Sequence, residues 1–299
     1  MTLNEKIVEI YGSGTVIKER QRITGGDIND AFMLQLSNGE AVFMKKNSLS
    51  ALPSLQAEVA GLTAICDTHT IRTPQVLGIG TDQSTESAYL LLEYLPGQHR
   101  VKDYWGIFAA ELASLHLADP GCISKAPCVK GTFGFCENNF IGSTPQINTP
   151  HNTWIGFFRE CRLEPQFRLA SKWFDRDDQK KIRFLLDHLD KWLTEPEGPS
   201  LLHGDLWNGN VITGKDGKAW LIDPAVYIGH HEADIAMTEL FGGFPTVFYD
   251  TYAEISGMDS GYNDRRDLYN LYHLLNHLNL FGGGYYSSVR STIRYYAGR

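Results

Sequence analysis

Cysteine is scarce in this chain: five in 299 residues, Cys66, Cys122, Cys128, Cys136 and Cys161, with no Cys-x-x-Cys pair among them. An odd set in a chain this long argues against a disulfide framework and fits a reducing compartment. A structural zinc site is not expected either, and His151 near Cys161 is the one place where a ligand cluster could form. Long apolar runs are also missing, since nothing approaches the roughly 18 residues of a membrane span. The start, MTLNEKIVEIYGSG, has neither the basic flank nor the apolar segment of a secretory signal, so the expected location is cytoplasmic. Blocks of Lys and Arg are absent, and 27 basic against 35 acidic residues leave a net charge of -8. Such a chain repels polyanions, so neither nucleic acid nor a membrane is an expected partner. A small anion could be held only by a local device such as a metal ion, a lysine or backbone amides.

With 42% hydrophobic and 21% charged residues the chain has the composition of a globular protein, long enough for one large domain or two lobes. Its first third carries strand-like runs, AFMLQLS, AVFMKK after the Asn38-Gly39 turn signal, and AYLLLEYL. Between them LPSLQAEVAGLTAI places Leu55, Val59 and Leu62 at helical spacing after a Ser54 cap. Beyond Pro96-Gly97, a reasonable hinge, the pattern turns helical. Phe108, Leu112 and Leu115 share one face, as do Leu268, Tyr272, Leu275 and Leu278. The expectation is an α+β fold with a small β-rich lobe over residues 1–95 and a larger, mainly helical lobe over 96–299. The Gly-, Pro- and Asn-rich stretch from about 120 to 150 is long for a loop and is therefore functional or mobile.

Residues 201–223, LLHGDLWNGNVITGKDGKAWLID, set three polar groups, Asp205, Asn210 and Asp223, in an otherwise apolar and turn-rich run. Asp216-Gly217 signals a two-residue hairpin turn, which would put Asn210 directly opposite Asp223. Opposed residues lie about 4.5–5.5 Å apart at Cα, so a carboxylate and an amide oxygen could converge on one hard cation, magnesium above all. Asp205, in the loop just before the first strand, would sit where a residue orienting an attacking hydroxyl belongs. The competing reading is that these Asx residues only stabilise turns.

The constellation resembles the core of protein-kinase-like phosphotransferases, whose H-x-D-x-x-x-x-N and later Asp fall here on His203, Asp205, Asn210 and Asp223. Gly204 replaces the arginine of protein kinases, Asp223-Pro224 replaces Asp-Phe-Gly, and no Ala-Pro-Glu follows, which resembles small-molecule kinases and disfavours a peptide acceptor. Lys45 on a strand and Glu58 on the next helix fit the phosphate-positioning pair, with a surface salt bridge as the alternative. Gly25 and Gly26 lie between two strands where a turn could cover the nucleotide, although the full G-x-G-x-x-G is lacking. The backbone around Glu93, Tyr94 and Leu95 resembles the segment that receives adenine; a buried strand ending at a proline would look the same.

The blocks GTFGFCENNFIGSTPQIN, WIGFFRECRLEPQF, LLHGDLWNGN, LIDPAVYIGHHEADIAMTELFGGFP and LYNLYHLLNHLNLFG resemble the fructosamine kinase (ketosamine-3-kinase) family over most of the length. The resemblance implies a bilobal kinase-like fold. It also implies transfer of the ATP γ-phosphoryl, with Mg2+, to O3 of a ketosamine such as a fructosamine, a ribulosamine or a glycated lysine, in protein deglycation. It makes Asp205 the general base, Asn210 and Asp223 the metal ligands, and His203 and Asp234 structural supports of the loop. Trp207 is a platform for a sugar face or a core tryptophan. Glu232 could meet the cationic amine of the acceptor, and the pair His230-His231 reads as structural. The alternatives are an aminoglycoside- or amino-sugar-type phosphotransferase and a non-catalytic nucleotide-binding scaffold.

Overall fold

The computed structural model describes residues 2–23, 29–123 and 133–298. It begins with a helix absent from the expectations above, α1 (Leu3–Tyr11). The Thr2 hydroxyl accepts from the Glu5 amide at 3.3 Å while the Glu5 carboxylate accepts from the Thr2 amide at 2.7 Å, a capping box that closes the helix start.

Five antiparallel strands follow: β1 (Ile17–Ile23), β2 (Asp30–Leu36), β3 (Ala41–Ser48), β4 (Val76–Asp82) and β5 (Ser87–Glu93), in spatial order β1-β2-β3-β5-β4. Between β3 and β4 runs α2 (Leu52–Asp67), which begins after Ala51, so Ser54 lies inside its first turn and not at the cap. Period-two alternation divides the sheet between the two helices. Leu34, Leu36, Val42, Met44, Tyr89 and Leu91 pack with Leu3 and Ile7 of α1. Ala88, Leu90 and Leu92 pack with Leu55 and Leu62 of α2. Lys45, one residue beyond Met44, is thereby turned toward α2. With the turn before it, α2 is apolar and long enough to cross a membrane, with a mean hydropathy of 1.2 over Leu49–Asp67. Here it serves as a sheet-covering helix that carries the buried Glu58.

The second part is mainly helical. Helix α3 (Tyr104–Leu117) precedes the hairpin β6 (Asn139–Ile141) and β7 (Thr144–Gln146). Then come α4 (Trp154–Phe157), a π-helical turn (Phe158–Leu163), α5 (Glu164–Leu169) and α6 (Arg176–Asp187). Short strands β8 (Ser200–Leu202), β9 (Val211–Thr213), β10 (Ala219–Leu221) and β11 (Tyr227–Gly229) form the pairs β8·β11 and β9·β10. Four helices close the chain: α7 (Glu232–Leu240), α8 (Thr246–Ser256), α9 (Tyr262–Phe281) and α10 (Tyr286–Ala297). Phe108, Leu112 and Leu115 of α3 and Leu268, Tyr272, Leu275 and Leu278 of α9 enter one core with Trp154 and Leu206. The result is an α+β, two-lobed fold whose sheet lobe meets the helical lobe across Lys45 and Asp223.

Candidate active site

The loop after β8 is anchored from beneath by one carboxylate. Asp234, in the first turn of α7, accepts the amides of His203 at 2.7 Å and Gly204 at 2.9 Å, and meets His116 Nε2 at 3.2 Å. Burial alone would raise its pKa, but the His116 hydrogen bond and charge, with the Gly204 amide, hold it below the ordinary value. His203 is fully buried, and burial pushes its pKa down. Its Nε2 lies 2.9 Å from the Ile222 carbonyl, which only an N–H can satisfy, so Nδ1 is left to accept the Asp205 amide at 3.3 Å. The ring is a neutral brace between the two arms of the motif.

Gly204 has φ +81, and a Cβ placed there would lie 2.1 Å from the Ala225 carbonyl oxygen. No side chain fits, which accounts for the missing arginine. Gly204→Ala is expected to cost about 2–4 kcal/mol, since left-handed strain adds to a backbone clash, and the loss is readable in a denaturant melt.

The hairpin register differs from the expected one. Thr213 pairs with Ala219 and Val211 with Leu221, so the loop holds three residues, Lys215, Asp216 and Gly217, closed by the Gly214 amide on Lys218 O at 2.9 Å. Gly217, at φ +75, supplies the left-handed third position that such loops use. Asn210 therefore faces Ile222, whose amide donates to Asn210 O at 3.0 Å, and Asp223 lies one residue past the opposed pair. A one-residue slip inverts which face a side chain occupies. Asp223 returns to the site by another route: it takes φ +55, uncommon for a non-glycine, immediately before Pro224.

Lys45 joins the lobes. Its Nζ lies 2.7 Å from Glu58 Oε1 and also donates to Asp223 Oδ1. Burial would lower the lysine pKa, but the two carboxylates raise it above its ordinary value, so it stays protonated. Burial pushes Glu58 up to about 7 against the pull of Lys45. Burial and the charge of Asp223 push Asp205 up to about 7, while the Asn210 hydrogen bond opposes. The Asn210 amide nitrogen donates to Asp205 O at 2.8 Å and Asp205 Oδ2 at 3.2 Å, so the remaining atom of that amide is an acceptor oxygen. A carboxylate pair under mutual repulsion beside an amide oxygen is a hard-oxygen donor set with excess negative charge, which fits Mg2+. Among the described residues no cluster of three His, Cys, Asp or Glu side chains could hold a metal, so any ion here would rely on Asn210 and on groups brought by substrate.

The other predicted residues fall as follows. Glu93 ends β5, with its amide on Gln75 O at 2.9 Å and its carboxylate 2.7 Å from Lys215 of the hairpin loop. Tyr94 and Leu95 continue without regular structure into the connection between lobes. Gly25 and Gly26 lie outside the described residues. Trp207 is 37% exposed, which excludes the core alternative, and it meets Phe241 edge-on at 5.9 Å. Phe241 in turn contacts His277 at 4.9 Å, an aromatic row that sequence spacing could not reveal because its members come from three separate elements. Burial pushes the His230 and His231 pKa values down to about 3 and about 4, so both rings are neutral.

Glu232 does not face an acceptor. It is 1% exposed and locked to Arg265 by two hydrogen bonds, 2.8 and 2.5 Å. Its partner is 33 residues away, out of reach of local pattern. Removing one member of a buried pair strands the other, so Glu232→Ala is expected to lose about 3–5 kcal/mol of stability. Acceptor KM should stay near the wild-type value in the fraction that folds.

A strand lysine paired to a helix glutamate, set against a loop bearing His203, Asp205 and Asn210 and against Asp223 beyond the β9·β10 hairpin, defines a protein-kinase-like phosphotransferase. The sequence narrows the class, because residues 1–297 match the fructosamine kinase family. The chain belongs to that family. It is 38% identical to a Synechocystis "Probable ketoamine kinase" over 98% of this chain and 95% of the relative. It is likewise 38% identical to a chloroplastic protein-ribulosamine 3-kinase of Arabidopsis thaliana over 94% of this chain and 83% of the relative. The crystal structure of a "Putative fructosamine-3-kinase" from Haemophilus somnus superposes with a TM-score of 0.86 at 29% identity, covering 99% of this chain and 96% of that one.

Proposed function

We propose that this enzyme transfers the γ-phosphoryl of ATP to the O3 hydroxyl of a ketosamine, a fructosamine or ribulosamine adduct carried by a small amine or a glycated lysine. The adduct phosphorylated at O3 is less stable and decomposes, so the activity serves deglycation. The observation that carries the reading is the contact of Lys45 with both Glu58 and Asp223, which puts the phosphate-positioning lysine and the carboxylate just before Pro224 in one place.

In this reading Asp205 accepts the proton of the attacking hydroxyl, and a pKa near 7 suits a base working at neutral pH. Lys45, steadied by Glu58, turns from Asp223 to the nucleotide phosphates. Asn210 Oδ1 and the Asp223 carboxylate would hold Mg2+. Held there, the ion would supply neutralisation of phosphate charge, in a reaction whose loose transition state depends more on positioning and charge than on basicity. His203 and Asp234 fix the loop without touching the reactants. The exposed Trp207 face, continued by Phe241 and His277, offers an apolar platform for the acceptor sugar.

ATP consumption with ribulose-, erythrulose- and fructose-derived lysine adducts, assayed beside kanamycin and choline, tests the reading. Turnover of at least one ketosamine is the expected result. Turnover confined to kanamycin or choline would overturn it.

A further inference from the structure

The backbone just past Asp223 is held by side chains from a distant hairpin. Ala225 donates its amide to His203 O at 2.9 Å, and its carbonyl accepts Gln146 Nε2 at 3.0 Å. The next carbonyl, Val226, accepts Asn139 Nδ2 at 2.7 Å. Gln146 and Asn139 are the last residue of β7 and the first of β6, and they bond to each other, Gln146 Nε2 to Asn139 Oδ1, at 2.8 Å. Both are buried, and both of their side-chain oxygens are engaged. Tyr272 on α9 donates its hydroxyl to Gln146 Oε1 at 2.6 Å, and Asn148 Nδ2 donates to Asn139 Oδ1 at 2.9 Å. Asn148 Oδ1 accepts Arg162 Nη2 at 2.8 Å, and Arg162, itself fully buried, also donates Nη1 to Ile147 O at 2.6 Å. Its guanidinium carbon sits 3.9 Å above the Tyr227 ring, one residue past Val226.

Each amide in this chain of contacts has one orientation that satisfies it, because a flip would set donor against donor at Asn139 and Asn148 and acceptor against acceptor at Gln146. The network therefore has no slack. It ends on the two carbonyls that follow a carboxylate held at φ +55, a conformation that persists only where surrounding contacts over-determine it. His203 O on one side and the two hairpin amides on the other supply that over-determination. Among the described residues the hairpin's strands pair only with each other, and apart from Ile141, which enters the core, its buried side chains are polar.

We propose that Gln146 and Asn139 are positioning residues that clamp the Ala225-Val226 backbone and so lock Asp223 in its metal-binding pose. The hairpin makes this segment a fixed part of the site, where a mobile one would have to be ordered before each turnover. The proposal rests on the assignment of Asp223 as a metal ligand.

The test is Mn2+ binding in the presence of saturating AMP-PNP, followed by the electron paramagnetic resonance signal of the free ion, on Gln146→Met, Tyr272→Phe and Asp223→Asn. Gln146→Met removes both donors while nearly keeping volume. It is expected to raise the Mn2+ Kd about 10-fold or more, as loss of groups that orient a metal ligand does. Tyr272→Phe, which leaves both Gln146 donors in place, should raise it less, by about threefold. If Gln146→Met does not fold, Tyr272→Phe decides, and an unchanged Kd there overturns the proposal. Wild-type Mn2+ affinity in Gln146→Met overturns it too, even with a lowered melting temperature, provided that Asp223→Asn binds Mn2+ weakly. If Asp223→Asn itself binds Mn2+ like wild type, the metal assignment falls and the clamp falls with it.

Discussion

Asp205→Asn is expected to bind ATP and acceptor nearly as the wild type does while turnover falls by about two orders of magnitude or more, within the range of a general base. The substitution keeps size and hydrogen-bonding reach but cannot accept a proton. Two further consequences follow from its raised pKa. Turnover of the wild type should rise with pH through about 7, as the carboxyl ionises, and this limb should vanish in the variant. Stability should move the opposite way. A carboxyl whose folded pKa lies above its unfolded value gives stability that is present at low pH and lost as pH rises through about 7. Asp205→Asn should therefore melt higher than wild type at pH 8, with the difference shrinking toward pH 4. Near-normal turnover in the variant would remove Asp205 from the base role.

Asp223→Ala should abolish the magnesium dependence of ATP binding, seen by calorimetry as loss of the affinity gained on adding Mg2+. The same change removes a carboxylate from Lys45 and relieves the repulsion that raises Asp205. The pH at which turnover rises should then move down in whatever activity remains. Unchanged affinity with Mg2+ would count against the metal assignment, and an unmoved pH limb would separate Asp223 from Asp205 electrostatically.

Much of the site was legible because its chemistry is local in sequence. His203, Asp205 and Asn210 occupy one loop, and the strand-helix order that places Lys45 against Glu58 follows from hydrophobic periodicity. What failed did so for physical reasons. Asp216-Gly217 has the signature of a two-residue turn, whereas the left-handed Gly217 closes a three-residue loop, so Asn210 faces Ile222 and not Asp223. Glu232 looked available because its partner Arg265 comes from another helix. Strand β1 leaves only the indirect signal of a turn expected at Gly25-Gly26, because an edge strand reading IKERQRI is largely exposed and lacks an apolar face. In β4, Gly78 and Gly80 interrupt the pattern. Helix α1 has a local signal of its own, the Thr2-x-x-Glu5 box ahead of an apolar-polar helical run. The amide clamp on Ala225 and Val226 was out of reach altogether, since it joins residues about 80 positions apart and uses types that also mark loops.

The central claim is phosphoryl transfer to O3 of a ketosamine, and the position of the phosphate tests it most directly. Phosphorus-31 NMR of a reaction containing enzyme, MgATP and a ribulose-lysine adduct should show a phosphomonoester whose coupling maps to C3, followed by breakdown of the adduct with release of free amine. A phosphate on another hydroxyl, or ADP and inorganic phosphate formed at the same rate without adduct, would contradict it.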